Sequence, residues 1–249
     1  LHRLYGALII GICIAVVSVG FTVYGTIHAR QMTTRSYDIN VDKQVDGIDS
    51  LNVVLVADLH LGYSIGCDDM RKMAERINAL NPDVVIYAGD IFDNDYDALD
   101  DEAQLKEILH SINAKYGSYA VFGNHDVTET LVGGFSTASS RKAFRDSRME
   151  SFLDEAGINI MLDEVTTIAD GKINLIGRLD GEKAGDGTRN RKDLSELIEQ
   201  CDMSKPVIVI NHEPDKLHEA ADMGVDVMLS GHTHAGQFFP LTIVQPFAW

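Results

Sequence analysis

The sequence predicts an α/β domain, with helices packed outside a sheet, preceded by one membrane-spanning helix. Three observations predict it. Short β-branched apolar runs alternate with segments of helical periodicity. Turn residues such as Asn81-Pro82, Gly157 and Gly224 separate them. An uncharged stretch near the start is long enough to cross a bilayer.

That stretch runs from Leu4 through Ile27, 24 residues without a charge. At a rise of about 1.5 Å per residue, a helix of this length covers roughly 36 Å, against a hydrocarbon core of about 30 Å. Tyr5 and Tyr24 lie near its ends, where aromatic belts form. A cleaved signal peptide has an apolar core of only about 7–15 residues and a small-residue cleavage site, which Ile27-His28-Ala29-Arg30 does not supply. Residues 1–30 therefore read as an anchor in the cell membrane. Residues 31–50 read as a linker leading into an edge strand, and 51–249 as the globular domain. Arg3 before the span and Arg30 and Arg35 after it leave orientation open, with an extracytoplasmic domain the favoured reading. The chain begins with Leu1 and stops at Trp249 just past the last motif, so further residues are expected beyond either end.

Beyond the linker, Leu51–Ala57 is a compact apolar strand, and Asp68–Leu80 is a helix with Met70, Met73, Ile77 and Leu80 on one face. Val84–Ala88 is a second buried strand. Asp101–Ala114 is helical through Leu105, Ile108, Leu109 and Ile112, and Ser118–Phe122 is a strand. Arg141–Ala156 is a helix closed by Gly157. Asn159–Ile168 and Ile173–Ile176 are strands of a meander around Asp170-Gly171. Helices over Asp193–Cys201 and Asp215–Met223 then flank strands Val207–Ile210 and Val225–Leu229.

Composition narrows the function. The apolar fraction of 45% and charged fraction of 24% are ordinary. The net charge of -17 is not. An acidic surface repels polyanions, so nucleic-acid binding is not expected. A phosphate substrate needs a strongly positive local receptor, which bound metal ions provide. Cys13, Cys67 and Cys201 form no Cys-x-x-Cys pair, which argues against a disulfide framework and a thiolate zinc site.

The chemistry sits at the strand ends. Leu51–Ala57 runs into Asp58-Leu59-His60, Val84–Ala88 into Gly89-Asp90-Ile91-Phe92-Asp93, and Ser118–Phe122 into Gly123-Asn124-His125-Asp126. Val207–Ile210 runs into Asn211-His212-Glu213-Pro214, and Val225–Leu229 into Ser230-Gly231-His232-Thr233-His234. Ligands of open α/β sheets bind beyond the carboxyl ends of strands, so five strands deliver Asp, His and Asn to one edge. Singly, most of these pieces are ordinary turns after strands. Gly-His-x-His is stronger, because two histidines two apart on extended chain point the same way. Together they hold five of the nine histidines. Imidazole and carboxylate ligands suit manganese, iron or zinc. The ligands are too many for one ion; two ions about 3.5–4 Å apart sharing a carboxylate would use them all.

This ordered set resembles the signature of the calcineurin-like metallophosphoesterase superfamily over about residues 51–238. The anchor and Gly231–Gln237 resemble bacterial membrane-associated members, a group including phosphodiesterases and lipid-linked pyrophosphohydrolases; Ala235 stands where that group often has Gly. The resemblance implies a β-sandwich with helices on both outer faces (αββα). It implies that Asp58, His60 and His234 hold a first metal, that Asn124, His212 and His232 hold a second, and that Asp90 bridges them. Asn124 would also face substrate, His125 would sit over it as proton donor, and Asp126 would orient His125 or shape its turn. The expected activity is hydrolysis of phosphate esters, phosphodiesters above all, with two manganese ions. The alternative substrate is a nucleotide-linked lipid diphosphate. A metal-free scaffold is disfavoured, because no ligand is missing.

Arg178 ends a predicted strand and could reach the substrate phosphate; the competing reading is a surface ion pair. Gly181–Gly187 is expected to be a mobile loop, with Arg189 and Arg191 facing solvent. Asp93–Asp97 is not a calcium loop, since Ala98 stands where Gly is needed and Gln104 where Glu is needed.

Overall fold

The computed structural model describes residues 2–129, 131–132, 135–136, 145–181 and 191–234. The chain divides into two compact units, Leu1–Asn40 and Val41–Trp249. The first contains helix α1 (His2–Ala29). Its stretch Tyr5–Ala29 is long and apolar enough to cross a membrane, and none of it is buried within the structure. The hydroxyls of Thr22 and Thr26 donate to the carbonyls of Ser18 and Thr22, each at 2.9 Å. Neither brings an unmet donor into apolar surroundings.

In the second unit the elements run β1 (Val53–Val56), α2 (Cys67–Ala79), β2 (Val84–Ala88), α3 (Glu102–His110), β3 (Ser118–Val121), the short pair β4 (Leu131–Val132) and β5 (Phe135–Ser136), and α4 (Ser147–Glu155). They continue β6 (Ile158–Ile160), β7 (Glu164–Ile168), β8 (Ile173–Gly177), α5 (Leu194–Ile198), β9 (Val207–Ile210), α6 (Leu217–Asp222) and β10 (Val227–Leu229). One sheet has the order β1-β2-β3-β6, all parallel; the other has the order β10-β9-β8-β7, parallel except where β7 meets β8.

The alternation of side chains along each strand builds three apolar layers. Val84, Ile86 and Ala88 of β2 pack with Leu175, Ile208 and Ile210 of the other sheet. Val85 and Tyr87, one residue out of phase, pack with Met70, Leu105 and Phe152 of α2, α3 and α4. Ile176, Val207 and Val209 turn outward to Leu194, Leu197 and Ala220 of α5 and α6. The chain thus forms the expected sandwich of two sheets with helices on both outer faces.

The differences from expectation have local causes. The run Asn159–Ile168 is not one strand. Ile158–Ile160 pairs with β3, whereas Glu164–Ile168 pairs with β8 in the other sheet. Between them Asp163 takes a left-handed φ of 57°, and its carboxylate accepts from the N–H groups of Leu179 (2.9 Å) and Lys192 (2.7 Å), so the chain crosses between layers there. The helix expected from Arg141 starts at Ser147, because Asp146 caps it; residues 141–144 lie outside the described residues. The helix expected to reach Ala114 ends at His110. In place of an edge strand before β1, Val45 and Ile48 form one isolated bridge. Lys43 Nζ pins that segment to Asp226 Oδ2 at 2.7 Å. Ala235, Arg189 and the loop 182–187 lie outside the described residues.

Candidate metal centre

The carboxyl ends of β1, β2, β3, β9 and β10 bring together the residues that follow them. Asp58, His60, Asp90, His232 and His234 all have left-handed φ, between 48° and 72°. Such conformations cost of order 1–3 kcal/mol each and persist where the surroundings over-determine them. Here the strands end and the chain folds back at once, turning side chains into the crevice. The approach is close enough to require glycine. A Cβ on Gly123 would lie 2.7 Å from Asp90 N and from His212 Cδ2, and one on Gly231 would lie 2.6 Å from Asp58 Oδ2.

Among the described residues three groups of donors result; one is His60, Asp93 and His125, and Asp90 belongs to both of the others. In one of those two, the ring of His212 is fixed by a bond from Nδ1–H to the Ala88 carbonyl at 2.8 Å. Its Nε2 lone pair then faces Asp90 Oδ2 and Asn124 Oδ1, each at 3.2 Å, and His232 Nδ1 at 3.3 Å. In the other, Asp93 Oδ1 accepts from His60 Nδ1 at 3.3 Å. This leaves His60 Nε2 facing His234 Nε2 at 3.2 Å and Asp90 Oδ2 at 3.8 Å; His234 Nε2 lies 3.4 Å from Asp58 Oδ1. Both Asp58 oxygens also accept from the His232 N–H, at 2.9 and 3.1 Å.

The donor set fits a metal. Lone pairs and carboxylate oxygens converge at separations that ligands about 2.0–2.2 Å from a shared ion present to one another. Each of His212 and His60 gives its other ring nitrogen to an oxygen acceptor, the usual outer support of a metal-bound imidazole. The electrostatics agree. Burial opposes a charge on His212, but the Asp90 carboxylate outweighs it and pushes the pKa up to about 9. A divalent ion satisfies the same pull.

Asp93 plays a part that sequence reasoning missed. Its Oδ1 also lies 3.5 Å from His125 Nδ1. The two histidines, His125 foremost, hold its carboxyl well below the usual carboxylate range. The sequence placed Asp93 in a motif, but its partners come from two other strands. Asp126 is fully buried, and its oxygens accept from the N–H groups of Phe92 and Gly123, each at 2.7 Å. Of the two roles expected for it, the contacts seen are those of a residue that shapes the turn.

The basic side chains differ from expectation. Arg178 is 6% exposed. Its Nη2 donates to the Lys192 carbonyl at 2.8 Å and its Nε lies 3.6 Å from Asp163 Oδ1, so its ion pair is buried, not at the surface. Arg191 is partly buried and held by side chains rather than simply facing solvent. It bonds the Asn211 side chain and lies 3.4 Å from Asp215 Oδ2, bracing the residue before His212.

Comparison with known proteins assigns the family. Residues 51–236 match the calcineurin-like phosphoesterase family, and the chain belongs to that family. It is 30% identical over 243 residues to a transmembrane protein with metallophosphoesterase domain from Danio rerio, covering 92% of this chain and 51% of that protein. It is 28% identical over 257 residues to the uncharacterized metallophosphoesterase YkuE of Bacillus subtilis, covering 99% and 81%. It is 26% identical over 231 residues to the UDP-2,3-diacylglucosamine pyrophosphatase LpxG of Chlamydia trachomatis, covering 80% and 68%. This chain therefore spans about half the length of the Danio rerio relative. Its second unit is a hydrolase domain of the phosphoesterase class.

Proposed function

We propose that this chain is a membrane-anchored phosphodiesterase with a binuclear centre. Asp58, His60 and His234 would hold one divalent ion, Asn124, His212 and His232 the other, and Asp90 would join them, manganese being the metal in this reading. The observation that carries the proposal is the position of Asp90 Oδ2 between the two donor groups, 3.2 Å from His212 Nε2 and 3.8 Å from His60 Nε2.

When bound, such ions supply Lewis acidity toward phosphate oxygens and lower the pKa of water. The chain's own residues supply the rest. Asn124 faces both the second donor group and the phosphate. His125, with its ring edge-on to His60 at 4.8 Å between centroids and its Nδ1 beside the Asp93 carboxylate, delivers a proton from Nε2 to the leaving oxygen. Arg178 lies at the end of β8, where its N–H donates to the Ile210 carbonyl at 2.9 Å. Its guanidinium must leave Asp163 to meet a phosphate.

A second reading, cleavage of a nucleotide-linked lipid diphosphate, is favoured by the apolar helix and by the Chlamydia trachomatis relative's stated substrate. A manganese-supplemented assay of the full chain in detergent separates the two. Bis-p-nitrophenyl phosphate, p-nitrophenyl phosphate and UDP-diacylglucosamine would be compared by kcat/KM. Preference for the diester supports the first reading, and preference for the lipid diphosphate replaces it with the second. Hydrolysis of none contradicts both.

A further inference from the structure

The turn after β2 carries a residue outside the proposed ligand set. Asn94 is 2% exposed and has a φ of 60°, a conformation that asparagine tolerates better than most other non-glycine residues. It reaches the loop after β3 three times. Its N–H donates to the His125 carbonyl at 3.0 Å, and its carbonyl accepts from the Glu129 N–H at 3.1 Å. Its Nδ2 donates to the Val127 carbonyl at 3.4 Å. On the near side, Asp90 Oδ1 accepts from His125 N–H at 2.8 Å and Asp126 Oδ1 from Phe92 N–H at 2.7 Å. The two loops are thus laced together at both ends of the His125 turn.

This lacing matters because of what lies between. Asp93 precedes Asn94, and its Oδ1 stands 3.5 Å from His125 Nδ1, an ion-pair separation at which no hydrogen bond closes the gap. The contact is set by how two loops from two strands are held. Asn94 is the residue of the Asp93 loop that grips the His125 loop through both backbone and side chain. We propose that Asn94 is a positioning residue that sets the Asp93–His125 pair, and so the proton delivery assigned to His125. The inference rests on that assignment.

The test uses full-length, manganese-loaded N94G, N94A, H125A and the double variant N94G/H125A. Each is assayed on a phosphodiester with a good leaving group (p-nitrophenolate) and on one with a poor, alkoxide leaving group. Glycine keeps the turn and removes only the amide; alanine also strains the backbone. N94G is expected to lose about tenfold to a hundredfold in kcat on the poor leaving group, to lose much less on the good one, and to keep its metal content. N94A should be worse, and the N94G loss should vanish in the H125A background. Equal loss on both esters would show that Asn94 only supports the fold, and full additivity in the double variant would show that it does not act through His125. Either result overturns the inference while the assignment of His125 stands. If H125A alone is indifferent to the leaving group, the assignment itself fails and the inference with it.

Discussion

Gly123 and Gly231 show how little room the centre leaves: any side chain there displaces a ligand. Gly123→Ala places a methyl group 2.7 Å from both Asp90 N and His212 Cδ2. It should lose metal and at least about a hundredfold in turnover, read by metal content and kcat; normal metal content in this variant would contradict the geometry. Asp93→Asn removes the carboxylate that orients His60, so metal affinity at the first donor group should fall about 10- to 100-fold, with the group around His212 little changed. A metal titration that resolves two affinities checks this. The proposed ligands were legible because each follows closely on a short apolar strand, where side-chain type and position coincide. The role of Asp93 was not, since its partners His60 and His125 lie 33 and 32 positions away in sequence and only the sheet brings them close. Arg191 was misread for the same reason: its acceptors, Asn211 and Asp215, come from the other side of α5 and β9.

At the level of elements, the strands and their alternation follow from β-branched runs, but sheet membership does not. β6 and β7 read as one strand because only the acidic pair Asp163-Glu164 interrupts the run, with no Gly or Pro, and the two backbone partners of the Asp163 carboxylate are visible only in three dimensions. Helix starts were misplaced where a capping aspartate, not the apolar pattern, sets the boundary. Asp146 is the clearest case. It begins α4, which packs Phe152 edge-on against Phe92 at 5.4 Å between centroids, next to Asp93. Its carboxylate accepts from Arg148 N–H at 2.9 Å and Nη2 at 2.7 Å, and the arginine side-chain bond above all lowers its pKa. A lowered carboxylate pKa stabilises the fold above the unfolded value, near 3.9, and that contribution is lost as pH falls through the folded value. Asp146→Asn keeps a capping side chain and removes the charge. It should cost about 1 kcal/mol at pH 7, since Arg148 is half exposed, or about 2–4 °C in Tm. The gap from wild type should close below about pH 4. A gap that is constant down to pH 2 would show that the charge is not its source.

For the whole molecule, two facts must be reconciled. The protein carries a net charge of -17, and its family acts on phosphate esters, which are anions. The fold resolves this by gathering its acceptors at one edge. In the proposed binuclear centre, two divalent ions would bring four positive charges against the carboxylates of Asp58, Asp90 and Asp93, making the crevice locally positive on an acidic body. The αββα arrangement matters because it puts the carboxyl ends of β1, β2 and β3 in one sheet and of β9 and β10 in the other on the same edge. The alternation of strands and helices was legible from periodicity, and the two-sheet layering only through the family resemblance that the motifs carry, whereas the orientation of the apolar span was not legible, because the charges flanking it do not decide it.

All of this turns on a pair of ions joined through Asp90. The most direct measurement is the manganese content of the metal-loaded full chain, wild type beside Asp90→Ala, by elemental analysis after removal of free metal. The account predicts two ions per chain in the wild type and a loss of bound metal in the variant. One ion or none in the wild type, or an unchanged content in Asp90→Ala, would contradict it.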